Sequence, residues 1–215
     1  MVLTLAEALD VPLRDQNEWL KAAGFAAVFR ETPIDAPQMQ DVRAALTHIL
    51  TAHLPNAAFV VDRRYSILMA NDAATKIIGF FAPNWRGAPN LLEMMLSDEG
   101  LKPAVVNFDD VAGHVVHRVR TELSASARSK EDDVFLERTI AFERAHPRAK
   151  KEHDASARIL VPITLRRGNV RLDLFTTITT LGTPLDITLQ ELRIETLFPA
   201  NTDARRAMQA ITTGS

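Results

Sequence analysis

The 215-residue sequence contains no cysteine. Disulfide bonds, a thiolate nucleophile and cysteine-based metal sites are therefore excluded. No apolar run approaches the roughly 20 residues that a membrane-spanning helix needs, and no basic-then-apolar leader precedes the first helical pattern. We expect a soluble, cytoplasmic protein without a membrane partner.

An excess of charge of either sign is also missing, since 25 Lys and Arg face 27 Asp and Glu, for a formal net charge of −2. A module that binds nucleic acid on its own usually carries a basic excess that offsets phosphate repulsion. The apolar fraction of 47% and the charged fraction of 24% are ordinary for a globular protein. The length allows one or two domains with a substantial core.

Helices are predicted throughout the N-terminal part. The apolar spacing of residues 3–9 predicts a helix, which Pro12 ends because proline disfavours helical geometry in the preceding residue. Residues 13–23 predict a second helix with Gly24 as its C-cap. A proline-punctuated linker over 25–37 then leads to a long helix over 38–53.

The middle of the chain predicts a β-hairpin followed by helices. Short apolar runs at 58–61 and 67–70 flank a polar turn, which is the pattern of a hairpin. Asn71 or Asp72 can cap the next helix, and Asn90 can cap a Leu/Met-rich one. The later helices are predicted over 91–96, 109–127 and 132–145, and a polar loop over 146–156.

The last third predicts strands. Apolar and polar residues alternate over 158–165 and over 170–181, on either side of a turn at Gly168. Residues 187–197 also predict a strand whose alternation changes phase near Gln190, which favours a β-bulge; a helix is the alternative for this stretch. Asn201 or Thr202 can cap a final helix. The sum is an α+β fold, a PAS-like five-stranded antiparallel sheet with helices on one face, preceded by N-terminal helices.

Several separate blocks of the sequence resemble one known family. LPNAAFVVDRRYSILMANDAA, NLLEMML, GLKPAVVNFDDVAGHVVHRVRTE and LFTTITTLGTPLDITLQELRIETLFPA are similar to the ligand-binding domain of MmyB-like transcription regulators, in the XRE helix-turn-helix superfamily. The resemblance covers about residues 52–200. It implies a PAS-type fold, a pocket associated with fatty-acid-like ligands, and an N-terminal DNA-binding domain in the regulator.

The resemblance also implies a division of the chain. Residues 1–24 resemble the last helices of an XRE domain, without the recognition helix, so that LAEALDVP is a packing helix; the alternatives are a natural short protein and an unusual helix-turn-helix. Residues 25–54 form the linker and connecting helix, 55–200 the PAS-like domain, and 201–215 a C-terminal helix and tail. DNA would be contacted only through the absent N-terminal part.

The sequence gives little evidence for a catalytic site or a metal site. His114 and His117 lie three residues apart on a predicted helix with Glu122 further along, yet no second cluster has matching spacing. Ser124 and its neighbours lack the G-x-S-x-G elbow of a hydrolase. We therefore predict no metal site, no catalytic residue and no cofactor other than a bound fatty acid or similar lipid.

The surplus of bulky apolar residues predicts either a filled core or an apolar pocket between sheet and helices. An acyl chain in such a pocket gains about 0.8 kcal/mol per buried methylene, and its carboxylate needs a partner. Arg118 or His114 would supply that partner, with Asn71 and Asn107 as neutral alternatives; a surface ion pair of Arg118 with Glu122 is the competing interpretation. The predicted ligand-binding residues are Phe59, Val61, Leu68, Asn71, Ile77, Ile78, Leu91, Leu92, Met95, His114, Val115, Arg118, Phe175, Ile178 and Leu189.

These patterns support three functional hypotheses. The first is the sensory and dimerisation region of a one-component regulator, in which an apolar ligand shifts two protomers through the helix at 38–53. The second is a ligand-free dimerisation or protein-interaction module. The third, an enzyme, would need a cleft with paired titratable groups, for which the sequence offers no convincing candidates.

Overall fold

The computed structural model describes residues 1–146 and 162–213. The helices are α1 (Val2–Ala8), α2 (Leu13–Ala22), α3 (Gln40–Ala52), α4 (Asp72–Phe81), α5 (Leu91–Leu96), α6 (Phe108–Ser124), α7 (Lys130–Ala145), α8 (Ile187–Glu191) and α9 (Thr202–Thr213). The strands are β1 (Ala57–Val61), β2 (Ile67–Ala70), β3 (Ile163–Arg167), β4 (Val170–Thr179) and β5 (Arg193–Pro199). Short 3-10 turns at Pro37–Met39 and Lys102–Ala104 precede α3 and α6.

The strands form one antiparallel sheet in the order β2-β1-β5-β4-β3. The predicted α+β fold with a five-stranded sheet and N-terminal helices is thus confirmed. Strand β5 lies in the centre, between the β1–β2 hairpin and the β3–β4 hairpin. Gly168, in the turn of the second hairpin, has a φ of +57°, a conformation that glycine adopts without strain.

Polar side chains fix where several helices begin. Asn71 and Asn90 accept the backbone N–H groups of Ala74 and Glu93, so both predicted caps are present. Helix α7 begins earlier than the predicted residue 132, because Ser129 and Asp132 form a reciprocal capping box. Helix α6 ends at Ser124, before the predicted residue 127.

The predicted strand over 187–197 is wrong in its first half. Asp186 accepts the N–H of Thr188 and caps the short helix α8, and β5 starts only at Arg193. The change of phase near Gln190 is therefore the boundary between a helix and a strand rather than a β-bulge. Asp186 also accepts a hydrogen bond from Thr32 Oγ1, a tertiary contact that local alternation cannot reveal.

Helices cover both faces of the sheet. Helices α4, α5, α6 and α9 contribute to the larger core with one face, which we call the inner face; Phe59 and Leu174 point into it. Helix α3 packs Leu46 and Leu50 against Val60 and Ile194 on the opposite, outer face. A third cluster joins α5, α6 and α7 around Tyr65.

Some predictions fall outside the described residues. The predicted loop over 146–156 lies there except for His146, as does the predicted strand over residues 158–161. Within 1–146 and 162–213, no helix is long and apolar enough to cross a bilayer. In the same ranges, no three His, Asp or Glu side chains are placed to hold a metal ion together.

Candidate ligand site beneath helix α6

One stripe of side chains on helix α6 faces the inner face of the sheet. Val111 and Val115 pack in the apolar core, and Arg118 and Glu122 continue the stripe at helical spacing. The stripe therefore changes from apolar to charged along the helix. Its charged end lies over β5, the central strand.

Arg118 is held by two partners beneath the helix. Its Nε donates to the Tyr65 hydroxyl at 2.6 Å, and its Nη2 donates to Glu195 Oε1 at 2.7 Å. The guanidinium also lies 5.1 Å from the centre of the Tyr65 ring, within the range of a cation–π contact. The side chain of Arg118 retains 21% of its accessible surface, and that of Glu195 only 6%. The pair therefore lies at the margin of the core.

A second ion pair of opposite polarity lies one helical turn further along. Arg193 of β5 donates to Glu122 of α6 at 2.6 Å. The four-residue step from Arg118 to Glu122 along the helix spans about 6 Å and two residues of strand span about 6.7 Å, so the two pairs fit side by side. Helix α6 and strand β5 are thus joined by two complementary charge pairs.

Burial changes the proton affinities of this cluster. Burial raises the pKa of the Tyr65 phenol to about 12, so the phenol is neutral. Burial also raises the pKa of the Glu195 carboxyl, against the opposing effect of the Arg118 charge. For Arg118, burial works to lower the pKa, but the charges of Glu195 and Glu122 and the hydrogen bond to Tyr65 outweigh it and the pKa is raised. The two ion pairs together carry no net charge when all four groups are ionised.

Tyr65 occupies an unusual backbone conformation. Its φ is +63°, in the left-handed region that bulky residues rarely adopt. Its side chain is almost completely buried in the third cluster, beside Leu92 and Val119. Packing and the bond from Arg118 hold this conformation, and conformations of this kind concentrate at functional sites.

The structure divides the predicted ligand-binding residues between the two sides of the sheet. On the inner side, part of the set is packed solid: Phe59 is 1% exposed, and Val61, Ile77 and Leu92 are comparably buried. Ile78, Leu91 and Val115 are partly exposed there, and Met95 is buried beside them. Residues Leu68 and Leu189 pack instead with α3 on the outer face.

Two predicted residues on β4 lie on opposite faces. Ile178 pairs with Glu195 across the strands and therefore shares the inner face with it. Ile178 is 40% exposed, so part of its side chain is left uncovered on this face. Phe175 lies on the outer face, where its ring stacks on Phe198 at 5.4 Å.

The neutral alternatives for a head-group partner are engaged in structural bonds. Asn71 Oδ1 accepts the N–H groups of Ala58 and Ala74, and its Nδ2 donates to two backbone carbonyls. Asn107 bonds to the backbone of Pro162 and Thr164 and so holds the start of β3. Both side-chain amides already use donors and acceptors in these hydrogen bonds, so neither can offer all of its hydrogen-bonding groups to a ligand.

The position of Arg118 corrects one interpretation. The expected surface ion pair of Arg118 with Glu122 does not form, because Arg118 binds Glu195 and Glu122 binds Arg193. Arg118 therefore reaches from α6 to the sheet, and Glu122 is paired with an arginine of the sheet instead of one on its own helix. His114, one turn before Arg118, is partly exposed.

Sequence reasoning missed Tyr65, Arg193 and Glu195. The available signal was weak: charged residues alternate with apolar ones in the closing strand, which is also the pattern of a solvent-facing strand edge. A buried glutamate on a central strand becomes visible only when its partner on a distant helix is known.

An open groove lies elsewhere, between α4, α9 and the start of β4. Its volume is about 1100 Å³, and Lys76, Phe80, Arg171 and Ile211 are among the residues that line it. None of the predicted ligand-binding residues lines this groove.

The sequence model of the MmyB-like transcription regulator ligand binding domain matches residues 42–211. The chain belongs to this family. The match begins in α3 and ends in α9, so it includes the whole sheet, the helices of the inner face and the Arg118–Glu195 pair. The comparison with curated proteins gives no match.

Membership of the MmyB-like family fixes the general role of the domain. The family is defined as the ligand-binding part of transcription regulators and is not an enzyme family. The domain is therefore a regulator's ligand-binding module, and α1 and α2 lie outside the matched range.

Proposed function

We propose that this domain senses an apolar small molecule with a fatty-acid-like tail and thereby modulates DNA binding by the regulator. The observation that carries the proposal is the family match across the sheet and the inner-face helices. The ligand's tail would lie between α6 and the open part of β4, beside Val115 and Ile178, with its head toward Arg118. No separate cofactor is needed for this role.

The local contacts support this placement. Ile178 is exposed next to Glu195, and Val115 is partly exposed on the sheet-facing stripe of α6. Burial of a tail of about ten methylenes would contribute about 8 kcal/mol. Association costs about 4–15 kcal/mol in lost translational and rotational freedom. Because the gain from the tail falls within this range, contacts at the head would decide whether the net binding free energy is favourable.

The structural change caused by ligand binding would be transmitted through the N-terminal helices. Arg14 of α2 bonds to Glu191, two residues before β5, and Asp15 accepts the N–H of Ala127, three residues after α6. A shift of α6 relative to β5 would therefore reach α2 directly. The ligand must bind one arrangement more tightly than the other for this shift to occur.

Dimerisation belongs to the same proposal. Two protomers would meet along the outer surface of α3, where small and polar residues such as Ala44, Ala45 and His48 are exposed. DNA would be contacted by another part of the regulator.

Native mass spectrometry of the purified chain, followed by thermal-shift measurements, tests the proposal. The series contains fatty acids of graded length and the corresponding alcohols and amides. We expect a retained lipid-sized mass or a melting temperature that rises with tail length. If no tailed compound binds and the purified protein carries none, the sensor proposal is refuted.

A second candidate is a ligand-free dimerisation or interaction module. It is favoured by an exposed apolar stripe along α1 and its two flanking residues, in which Met1, Leu5 and Leu9 recur every four residues. In that case the oligomeric state would depend on the stripe. Light scattering of a Leu5→Gln, Leu9→Gln variant separates the candidates, because this change leaves the α6–β5 region intact.

A further inference from the structure

The charge balance beneath α6 restricts the head of the ligand. Arg118, the only arginine or lysine among the predicted ligand-binding residues, already has an anionic partner in Glu195 at 2.7 Å. The adjacent pair of Glu122 and Arg193 is likewise balanced. An incoming carboxylate would therefore meet no uncompensated positive charge within these two pairs.

The charge of Glu195 makes binding of a carboxylate at this place energetically unfavourable. Glu195 is almost fully buried on the central strand, so a second anion beside it would be repelled across a poorly solvated region. An anion bound to the remaining donor of Arg118 would lie beside the Glu195 carboxylate, and an anion that displaced Glu195 would leave that carboxylate buried without its partner. Breaking a buried ion pair in this way is costly.

The pair nevertheless leaves hydrogen-bonding capacity for a neutral group. Nη1 of Arg118 and Oε2 of Glu195 make no hydrogen bond to any residue within 1–146 and 162–213. One is a donor and the other an acceptor. A primary amide or a hydroxyl can satisfy both, because each carries an acceptor oxygen and at least one donor hydrogen.

We infer that the site selects tailed ligands with an uncharged head that both accepts and donates a hydrogen bond, such as long-chain amides or alcohols, and discriminates against free carboxylates. Glu195 is the residue that determines this specificity, because its charge cancels that of Arg118. The inference rests on the proposed function and specifies the chemical class of ligand for that same site.

Isothermal titration of the full chain at neutral pH tests it with three compounds of equal tail length: dodecanamide, dodecanol and dodecanoate. We expect the amide or the alcohol to bind at least about tenfold more tightly than the carboxylate. In Glu195→Gln the Arg118 charge is no longer cancelled, so affinity for dodecanoate should rise and the preference should disappear or reverse.

Glu143→Gln is the matched control, since Glu143 also pairs with an arginine of α6, Arg120, but outside the proposed site. This variant should keep the wild-type preference. Equal or tighter binding of dodecanoate by the wild-type protein would overturn the inference while leaving the sensor role intact. Failure of all three compounds to bind, together with the lack of any retained lipid in the purified protein, would refute the sensor role itself. If Glu195→Gln does not fold, the relative affinities of the three compounds for the wild-type protein still test the inference.

Discussion

Arg63 joins three parts of the molecule, and its replacement by methionine tests the energetic importance of that junction. Its guanidinium donates to Glu191 Oε1 at 2.9 Å, to Ser126 Oγ at 2.8 Å and to the Ala127 carbonyl at 3.3 Å. It also lies 3.7 Å from Asp132, which is 1% exposed. Arg63 thus connects the β1–β2 turn to α8 and to the α6–α7 loop.

The expected loss of folding free energy depends on which partners the buried carboxylates keep when Arg63 is replaced. Removal of one partner of a buried ion pair typically destabilises by about 3–5 kcal/mol. Asp132 keeps Arg64 and Glu191 keeps Arg14, so we expect the lower end, about 3 kcal/mol. For a domain of this size, each kcal/mol lowers the melting temperature by about 2–4 °C, which gives a decrease of about 6–12 °C.

Circular dichroism during heating and urea titration measures this change. Lys21→Met is the control, because Lys21 and its partner Glu18 are both about half exposed. Exposed pairs of this kind contribute about 0–1 kcal/mol, so the control should melt close to the wild type. An Arg63→Met protein that loses less than about 1 kcal/mol would contradict the reasoning.

Three further predictions concern stability. Leu46→Ala removes a fully buried side chain that α3 packs on the outer face and should cost about 2–5 kcal/mol, measured as a lower urea midpoint. Asn90→Ala removes the cap of α5 and should cost about 1 kcal/mol in the same assay. For Asp132, burial favours the protonated form, but the Ser129 backbone bond and the Arg63 charge outweigh it and lower the pKa below 3.8. The stability that the carboxylate contributes is therefore present above the unfolded pKa and is lost as pH falls through the lower folded pKa, so wild type and Asp132→Asn should converge in acid.

The sequence predicted those elements whose signals are local. Alternation, turn residues and caps such as Asn71 and Asn90 indicated the five strands and most helices, because each depends on neighbours within a few residues. A strand was preferred over the helical alternative at α8 because five residues are too few to show helical periodicity. Its cap, Asp186, is also tied to Thr32, which lies far away in the chain.

The candidate site was predicted only in part, for the same reason. Arg118 was selected because it extends the apolar face of a long helix. Its partner Glu195 could not be paired with it, since 77 residues separate them and an isolated charge in a strand normally faces solvent. The strand order decides which distant charges meet, and local patterns do not contain it.

The opposite polarity of the two pairs between α6 and β5 has a consequence for how the domain can move. A slide of α6 by one turn would bring Arg118 opposite Arg193, or Glu122 opposite Glu195, and like charges would then face each other in a largely buried region. Small displacements are therefore resisted until a pair breaks, which favours discrete arrangements over continuous sliding. In the proposed role, a ligand head that bonds to the remaining groups of Arg118 and Glu195 would act on one pair and leave the other, so its binding would bear on the register of α6. Because α6 and β5 each lie within three residues of the atoms that hold α2, the same change of register would be transmitted to the N-terminal helices.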